Sequence, residues 1–583
     1  MKVSDYIVEF LAQNGIDKVF SYIGKNAHIC DSIDKHKDIE NIFGIHEQGV
    51  GFFADGYARV TGEIGVVTVT SGPGATNLLT AIADCYFDSI PTIFIVGDLP
   101  PSESKGDRDI RQFGFQETDI VTIAKPITKY AVSINSLDEL RYKLEKAYFI
   151  SQNGRKGPVL ISMPENLQFR TDFNPNEYKS FFNMKEHKKM LNYISTIDNE
   201  IDKTVELINS SKRPVILVGG GVRLSNSVSE LREFLKNSDI PIVYSLMGKD
   251  AISDDYKYNL GFIGNFGTRY ANLTIANSDL LIVLGSRLDN LQTGRKIETF
   301  AKNAKIIQVD IDKNELGIRI DVDININSDI KIFLSKLNKK IVSPKILSWH
   351  KKVLEYKNRY PIDFTLTGNK KIGNLIISEL SKGLKDDDIV CVDVGEHQML
   401  VAQSLKVKDN QRVIFSGGFG TMGFALPSAI GATIGTGKRA IVISGDGGFQ
   451  MNIQELEIVR RRGLPIKMFI INNNSLHMVK LRQDTYLNGN SIGSVKDYSV
   501  PNFKKIGKAY GIESSEVSGF NKIVKRVKKS LENSSSEILD IQLKADMTTV
   551  EPRLDFNRAF EDMSPYLDRK ELKEQMFISP SQG

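Results

Sequence analysis

Ala440-Ile441-Val442-Ile443-Ser444-Gly445-Asp446-Gly447-Gly448 reads as a short apolar strand running into a glycine-rich polar turn, with a helical pattern expected from about Met451. Twenty-seven residues after Asp446, a second apolar strand over 467–471 ends in Asn472-Asn473-Asn474. In a parallel sheet two such strand ends can lie side by side at the carboxyl edge, where ligands bind. A carboxylate and an amide oxygen brought together there suit Mg²⁺, a hard cation that takes oxygen ligands and keeps diphosphate oxygens as partners. The glycines let the backbone approach a phosphate, and a helix opening just beyond offers N–H donors. Gly-Asp-Gly alone is most often a plain turn. The strand before it, the helix after it and the paired asparagines favour the ligand site.

The same rhythm of apolar strands and helical patterns runs outward through the chain. Strands are expected at 66–70, 92–96 and 158–161, then at 215–218, 242–244, 280–284 and 306–309, and finally at 389–392, 440–443 and 467–471. Polar stretches at about 169–189 and 338–370 separate these groups. At 583 residues the chain is too long for one core. The expected fold is α/β: three successive doubly wound parallel-sheet domains over 1–168, 190–338 and 365–550, with a tail or lid over 551–583.

Composition narrows the partners. The 76 Lys and Arg are spread among 71 Asp and Glu, leaving a net charge of +5, too small for a nucleic-acid footprint. No run of eighteen apolar residues predicts a membrane span. Cys30, Cys85 and Cys391 fit no metal-ligand spacing, and so sparse a count suits a reducing, cytoplasmic setting.

The segment from Gly445 to Asn473 resembles the GDG…NN motif of the thiamin-diphosphate enzymes. That resemblance implies Asp446, Asn473 and the backbone carbonyl of Ser475 as Mg²⁺ ligands. It implies that Val394, Gly395, Glu396, His397 and the backbone near Gly447 and Gly448 cradle the diphosphate. Such chemistry needs a carboxylate against the pyrimidine ring of the cofactor. Glu47, in His46-Glu47-Gln48-Gly49 ahead of Gly56-Tyr57-Ala58-Arg59, matches the family's HEQ…GYAR stretch and is the implied catalytic residue. Ser71-Gly72-Pro73-Gly74-Ala75-Thr76-Asn77 resembles the loop that lies against the pyrimidine, which assigns Gly72, Pro73 and Asn77 to the cofactor. Gln116 matches a glutamine that faces the cofactor. Met422, after Gly420-Thr421, matches the apolar wedge that bends it.

Over about residues 1–550 the chain is similar to the acetohydroxyacid (acetolactate) synthase branch. In that branch Gly220, Gly285, Arg287 and Asp310 of the second block would bind FAD, although related enzymes keep this domain's shape without the flavin. The resemblance implies decarboxylation of a 2-oxo acid donor, pyruvate, and carboligation of the two-carbon unit to a second carbonyl. It also implies a homodimer or homotetramer, with one chain's first block facing another's third. Acetyl transfer to a nucleotide-linked keto-sugar and simple 2-oxo acid decarboxylation are the alternatives.

Three positions depart from the branch. Glu396 stands where Gln is usual, and a carboxylate near a diphosphate is unfavourable unless it turns away. Arg482 stands nine residues after Asn473, where the branch has a Trp that selects the second keto acid, and a guanidinium suits an anionic acceptor. The family's GYPGG is replaced by Tyr22-Ile23-Gly24-Lys25-Asn26-Ala27-His28, which makes His28 a candidate facing the substrate.

Overall fold

The computed structural model describes residues 1–191, 196–555 and 557–581. Residues 192–195, at the expected start of the second block, and Phe556 and 582–583, in the expected tail, lie outside the described residues. Three six-stranded sheets follow one another along the chain, and every strand pair in them is parallel. The first comprises β1 (Lys18–Ser21), β2 (Glu40–Phe43), β3 (Gly65–Thr70), β4 (Thr92–Asp98), β5 (Tyr130–Ser133) and β6 (Val159–Pro164), in the order β2-β1-β3-β4-β6-β5. The second holds β7 (Pro214–Val218), β8 (Ile242–Tyr244), β9 (Asn259–Phe262), β10 (Leu280–Leu284), β11 (Lys305–Asp310) and β12 (Ile324–Asn327), ordered β12-β11-β10-β7-β8-β9. The third holds β13 (Ile389–Val392), β14 (Arg412–Phe415), β15 (Ala440–Gly445), β16 (Ile466–Asn472), β17 (Glu513–Ser518) and β18 (Glu537–Gln542), ordered β14-β13-β15-β16-β18-β17.

The strands expected from sequence are the apolar central ones. Those it missed are mostly edges or polar strands: β17 is half exposed along its length, so it carries no apolar run. β18 is buried but begins with Glu537, which is satisfied by Lys467 and Arg526 from neighbouring elements. The loosely patterned 338–370 stretch contains the helix Leu347–Arg359, whose Trp349, Val353 and Tyr356 are buried in the second block's core. Over 557–581 the tail lies as a strap on the same block. Phe560, Leu567 and Leu572 join its core, and the Tyr356 hydroxyl donates to the Gln575 carbonyl at 2.5 Å.

The first and third sheets meet through two helices, Glu47–Thr61 and Ala425–Thr436, pressed together at glycines. A Cβ on Gly56 would lie 2.0 Å from the Ser428 carbonyl oxygen, and one on Gly431 would lie 1.8 Å from that of Phe53. Beside this contact the buried Arg59 bridges Asp55, Asp84 and Asp88 and donates to the Phe415 carbonyl. Burial and the neighbouring acids raise the Asp55 and Asp84 carboxyls, and removing Arg59 would leave three buried acids without their cation.

Candidate functional site

In the third sheet the strand order reverses between β13 and β15, and the loops leaving the carboxyl ends of these strands and of β16 converge. Asp446 follows β15 directly. The expected helix opens at Asp446 rather than near Met451, because the turn itself coils into Asp446–Met451. The Asp446 carboxylate is buried; its Oδ1 accepts from the Gly447 N–H at 2.7 Å and from the Tyr498 hydroxyl at 2.9 Å. Its Oδ2 has no partner among the described residues. Burial raises the Asp446 carboxyl above its ordinary value, against the pull of Tyr498 and of backbone donors.

The paired asparagines divide their work. Asn472 Nδ2 donates to Asp540 at 3.0 Å inside the sheet edge. Asn473 instead points its Oδ1 at the Ser475 N–H, 3.1 Å away, and its Nδ2 at the Thr548 hydroxyl, 2.9 Å away. The Thr548 hydroxyl also contacts Glu396 Oε2 at 3.0 Å, and that oxygen lies 2.5 Å from His477 Nδ1. Glu396 thus turns its Oε2 onto an imidazole and a hydroxyl inside the fold, while its buried Oε1 has no partner among the described residues. His477, Thr548 and Tyr498 were missed in the sequence. Two lie in stretches with no motif, and His477 makes sense only once Glu396 is seen beside it.

The cradle loop is held from below. Asp393 accepts the N–H groups of Val394, Gly423 and Ala425 at 2.9, 2.9 and 3.1 Å, fastening the Val394–His397 turn to the loop that carries Gly420 and Met422. Burial lifts its carboxyl to about 6. Gly395 has φ +154°, and a Cβ on Gly448 would lie 2.4 Å from Asp393 Oδ1. His397 Nε2 accepts the Gly445 N–H at 3.2 Å, and burial lowers its imidazole to about 4, so it is neutral at pH 7. The Met422 methyl stands 3.4 Å from the Cβ position of Gly447, over the same turn as Asp446.

The first sheet presents a second constellation at the corresponding edge. Glu47 opens the helix Glu47–Thr61, which His46 caps by accepting the Gln48 N–H at 3.2 Å. The Glu47 carboxylate is buried and accepts from Asn77 Nδ2 at 3.0 Å. Its Oε1 lies 3.2 Å from the Cβ position of Gly74. Pro73 starts the short helix Pro73–Asn77 after Gly72, whose φ is +65°. A Cβ on Gly72 would lie 2.8 Å from that of Gln116, itself at φ +66°. Glu47, Gly72, Pro73, Asn77 and Gln116 are therefore one cluster. His28 stays apart from it: its ring packs against Phe169 at 5.3 Å between centroids.

Within the chain no hydrogen bond or ion pair joins Glu47 or Gln116 to Asp446 or Asn473 among the described residues. Arg482, on the helix His477–Tyr486, is exposed and makes no hydrogen bond or ion pair among the described residues. In the second sheet the order reverses between β7 and β10. A cavity of about 740 Å³ opens there, lined by Gly220, Gly285, Arg287 and Asp310, and by residues of the other two blocks. Burial pushes the Asp310 carboxyl up to about 6, and its one hydrogen bond among the described residues comes from the Asp312 N–H at 2.9 Å.

Two carboxyl edges, one offering an unpartnered carboxylate oxygen beside an amide and the other a buried glutamate, are the parts a thiamin-diphosphate enzyme needs. Family models agree: the N-terminal TPP binding domain of thiamine pyrophosphate enzymes matches residues 1–123, the central domain 201–337 and the C-terminal TPP binding domain 393–541. Acetolactate synthase 2, chloroplastic, of Nicotiana tabacum is 34% identical over 96% of this chain and 85% of its own length. The acetolactate synthase large subunit of Lactococcus lactis is 36% identical over 88% of this chain and 87% of its own. The chain belongs to the acetolactate synthase family of thiamine pyrophosphate enzymes. No helix among the described residues is long and apolar enough to cross a membrane.

Proposed function

We propose that the protein decarboxylates pyruvate and joins the two-carbon unit to the carbonyl of a second 2-oxo acid, as an acetolactate synthase. The observation that carries this is the pair of edges: Asp446 with a buried oxygen that has no partner among the described residues on one, and Glu47 held by Asn77 on the other. When bound, thiamin diphosphate supplies the electron sink that carbon–carbon cleavage at a 2-oxo acid requires. Both named relatives are acetolactate synthases, which favours carboligation over release of an aldehyde and over transfer to a keto-sugar.

The chain's own residues take the following roles. Asp446 Oδ2, Asn473 Oδ1 and the Ser475 carbonyl form an oxygen set suited to Mg²⁺, and a cation there would reverse the effect of burial on Asp446. The Val394–His397 turn, with the Gly447 and Gly448 backbone, would receive the diphosphate, with His397 holding the Gly445 N–H. Glu47, held by Asn77, would hydrogen-bond the pyrimidine ring of the cofactor, and Gln116 and Gly72 would lie beside it. Met422, whose methyl stands over the Gly447 turn, would pack against the bound cofactor.

Because no hydrogen bond or ion pair joins the two clusters within one chain among the described residues, the active unit is a homodimer in which one protomer's Glu47 faces its partner's metal site. The second-sheet cavity fits FAD: its volume falls in the range of cofactor sites, and Asp310 at a strand end suits a ribose hydroxyl. Mass spectrometry of the products formed from pyruvate, with thiamin diphosphate and Mg²⁺, tests the reading. Acetolactate is expected; acetaldehyde as the main product overturns it.

A further inference from the structure

The first-sheet edge holds a cation that no assigned role uses. Lys25 lies in the turn between β1 and the helix Ala27–Lys35. Three elements clamp its backbone. Its N–H donates to Thr70 Oγ1 at 3.1 Å, its carbonyl accepts from Gln168 Nε2 at 3.0 Å, and a Cβ on Gly97 would lie 2.4 Å from its carbonyl carbon. The side chain is directed as well. Lys25 Nζ donates to Gln116 Oε1 at 2.7 Å and stands 5.6 Å from the Phe115 ring centre.

This places the ammonium in the Glu47 cluster. Thr70, which bonds Lys25, also lies 2.7 Å from the Cβ position of Gly74, and Glu47 Oε1 lies 3.2 Å from that same position. Lys25 forms no ion pair among the described residues, and Gln116 is a neutral acceptor that uses one of its three N–H donors. Gln116 itself is held at φ +66°, a conformation that is strained for a non-glycine residue and gathers at functional sites. A clamped cation with donors to spare, beside a strained glutamine, is a preorganised anion subsite.

Resting on the carboligase reading above, we propose that Lys25 is a specificity-determining residue that binds the carboxylate of the acceptor 2-oxo acid. The donor carboxylate is the wrong partner. It loses its charge as carbon dioxide leaves, so a cation paired with it would stabilise the ground state more than the transition state and slow the step. The acceptor carboxylate keeps its charge throughout. Pairing with it lowers the acceptor's KM without opposing bond formation. A neutral aldehyde acceptor gains nothing from Lys25.

The test uses the full-length enzyme loaded with thiamin diphosphate and Mg²⁺, pyruvate as saturating donor, and either 2-oxobutyrate or benzaldehyde as acceptor. In Lys25→Met the apparent KM for 2-oxobutyrate should rise roughly ten- to hundredfold, the value of a hydrogen bond to a charged group, while that for benzaldehyde moves less than about threefold. Lys25→Arg should restore most of the difference. If Lys25→Met does not fold, Lys25→Gln carries the same comparison, because it can still bond Gln116 without the charge. Equal losses with both acceptors, or no change with either, overturn the proposal while the carboligase reading stands. If the unsubstituted enzyme releases carbon dioxide yet couples neither acceptor, the carboligase reading fails and this proposal falls with it.

Discussion

The first and third sheets have the same strand order, yet their edges carry opposite chemistry. Counted from each sheet's own first strand, both run 2-1-3-4-6-5, and in both the functional side chains leave the carboxyl ends beside strands 1 and 3. The third edge is a site of oxygens and backbone N–H groups: Asp446, Asn473, the glycine turns and a deprotonated His397. The first edge offers a buried glutamate, a strained glutamine and an ammonium that forms no ion pair among the described residues. A repeated topology therefore supplies two ligand-ready crevices, and only the residues placed in them decide which one holds the cofactor and which one activates it. The middle sheet, ordered 6-5-4-1-2-3 on the same count, has its crevice elsewhere and opens the 740 Å³ cavity instead.

If the division is correct, the two edges should fail differently. Glu47→Gln should leave thiamin diphosphate binding largely intact and lower carbon dioxide release from pyruvate by roughly 10²- to 10⁴-fold, the scale of a lost acid–base partner. Near-normal turnover would break the assignment of the first edge. Asp446→Asn should do the reverse and weaken Mg²⁺-dependent cofactor binding. The loss should be at least the roughly ten- to hundredfold seen when mere outer partners of a metal ligand are changed. Fluorescence titration with the cofactor at several Mg²⁺ concentrations reads this directly. Unchanged binding would remove the metal site from the third edge.

Much of this division was legible in the sequence, because it rests on glycines and acids at strand ends. Asp446, Asn473 and Glu47 announce themselves by spacing and by their small neighbours. What stayed hidden was anything that depends on long-range pairing. Glu396 looked like a misplaced charge until His477, eighty-one positions away, was found against it. Tyr498 and Thr548 touch Asp446 and Asn473 from segments without periodicity, so no local pattern could flag them. His28, the most conspicuous substitution by residue type, packs on Phe169, whereas its neighbour Lys25 reaches Gln116. The edge strands β2, β12 and β17 escaped because they are partly exposed and need fewer apolar residues, whereas β9 is buried but short and interrupted by Asn259 and Gly261.

The joint between the two edges can be weakened by pH. Glu455 reaches across it to accept the N–H groups of Ile45 and His46 at 3.3 and 3.0 Å, just ahead of Glu47. Burial raises its carboxyl from 4.5 to about 7, with those two donors and Arg461 pulling it down. Its folded value lies above the unfolded one, so its stabilising contribution is full below 4.5 and is lost as pH rises through about 7. The change is on the order of 3 kcal/mol. Thermal midpoints of the unsubstituted protein should fall relative to those of Glu455→Gln across this window. Parallel curves would show that the joint does not titrate.

The smallest effect belongs to Arg482, and the reason is its contrast with Lys25. Both are cations without an ion pair among the described residues, but Lys25 is clamped at the first edge while Arg482 projects from the third into solvent. An exposed guanidinium is screened by water and must be ordered when it binds, so its contribution to an anion is small. Arg482→Ala should therefore raise the apparent KM for the acceptor by only about two- to fivefold, and should affect acceptor use more than carbon dioxide release from the donor. High salt should erase the difference, since exposed charges are screened within a Debye length of about 10 Å at 0.1 M. Equal losses in the donor and acceptor halves would remove Arg482 from acceptor recognition. A loss as large as that of Lys25→Met would mean that the guanidinium is buried in the proposed homodimer, and the two edges would then share the acceptor anion between them.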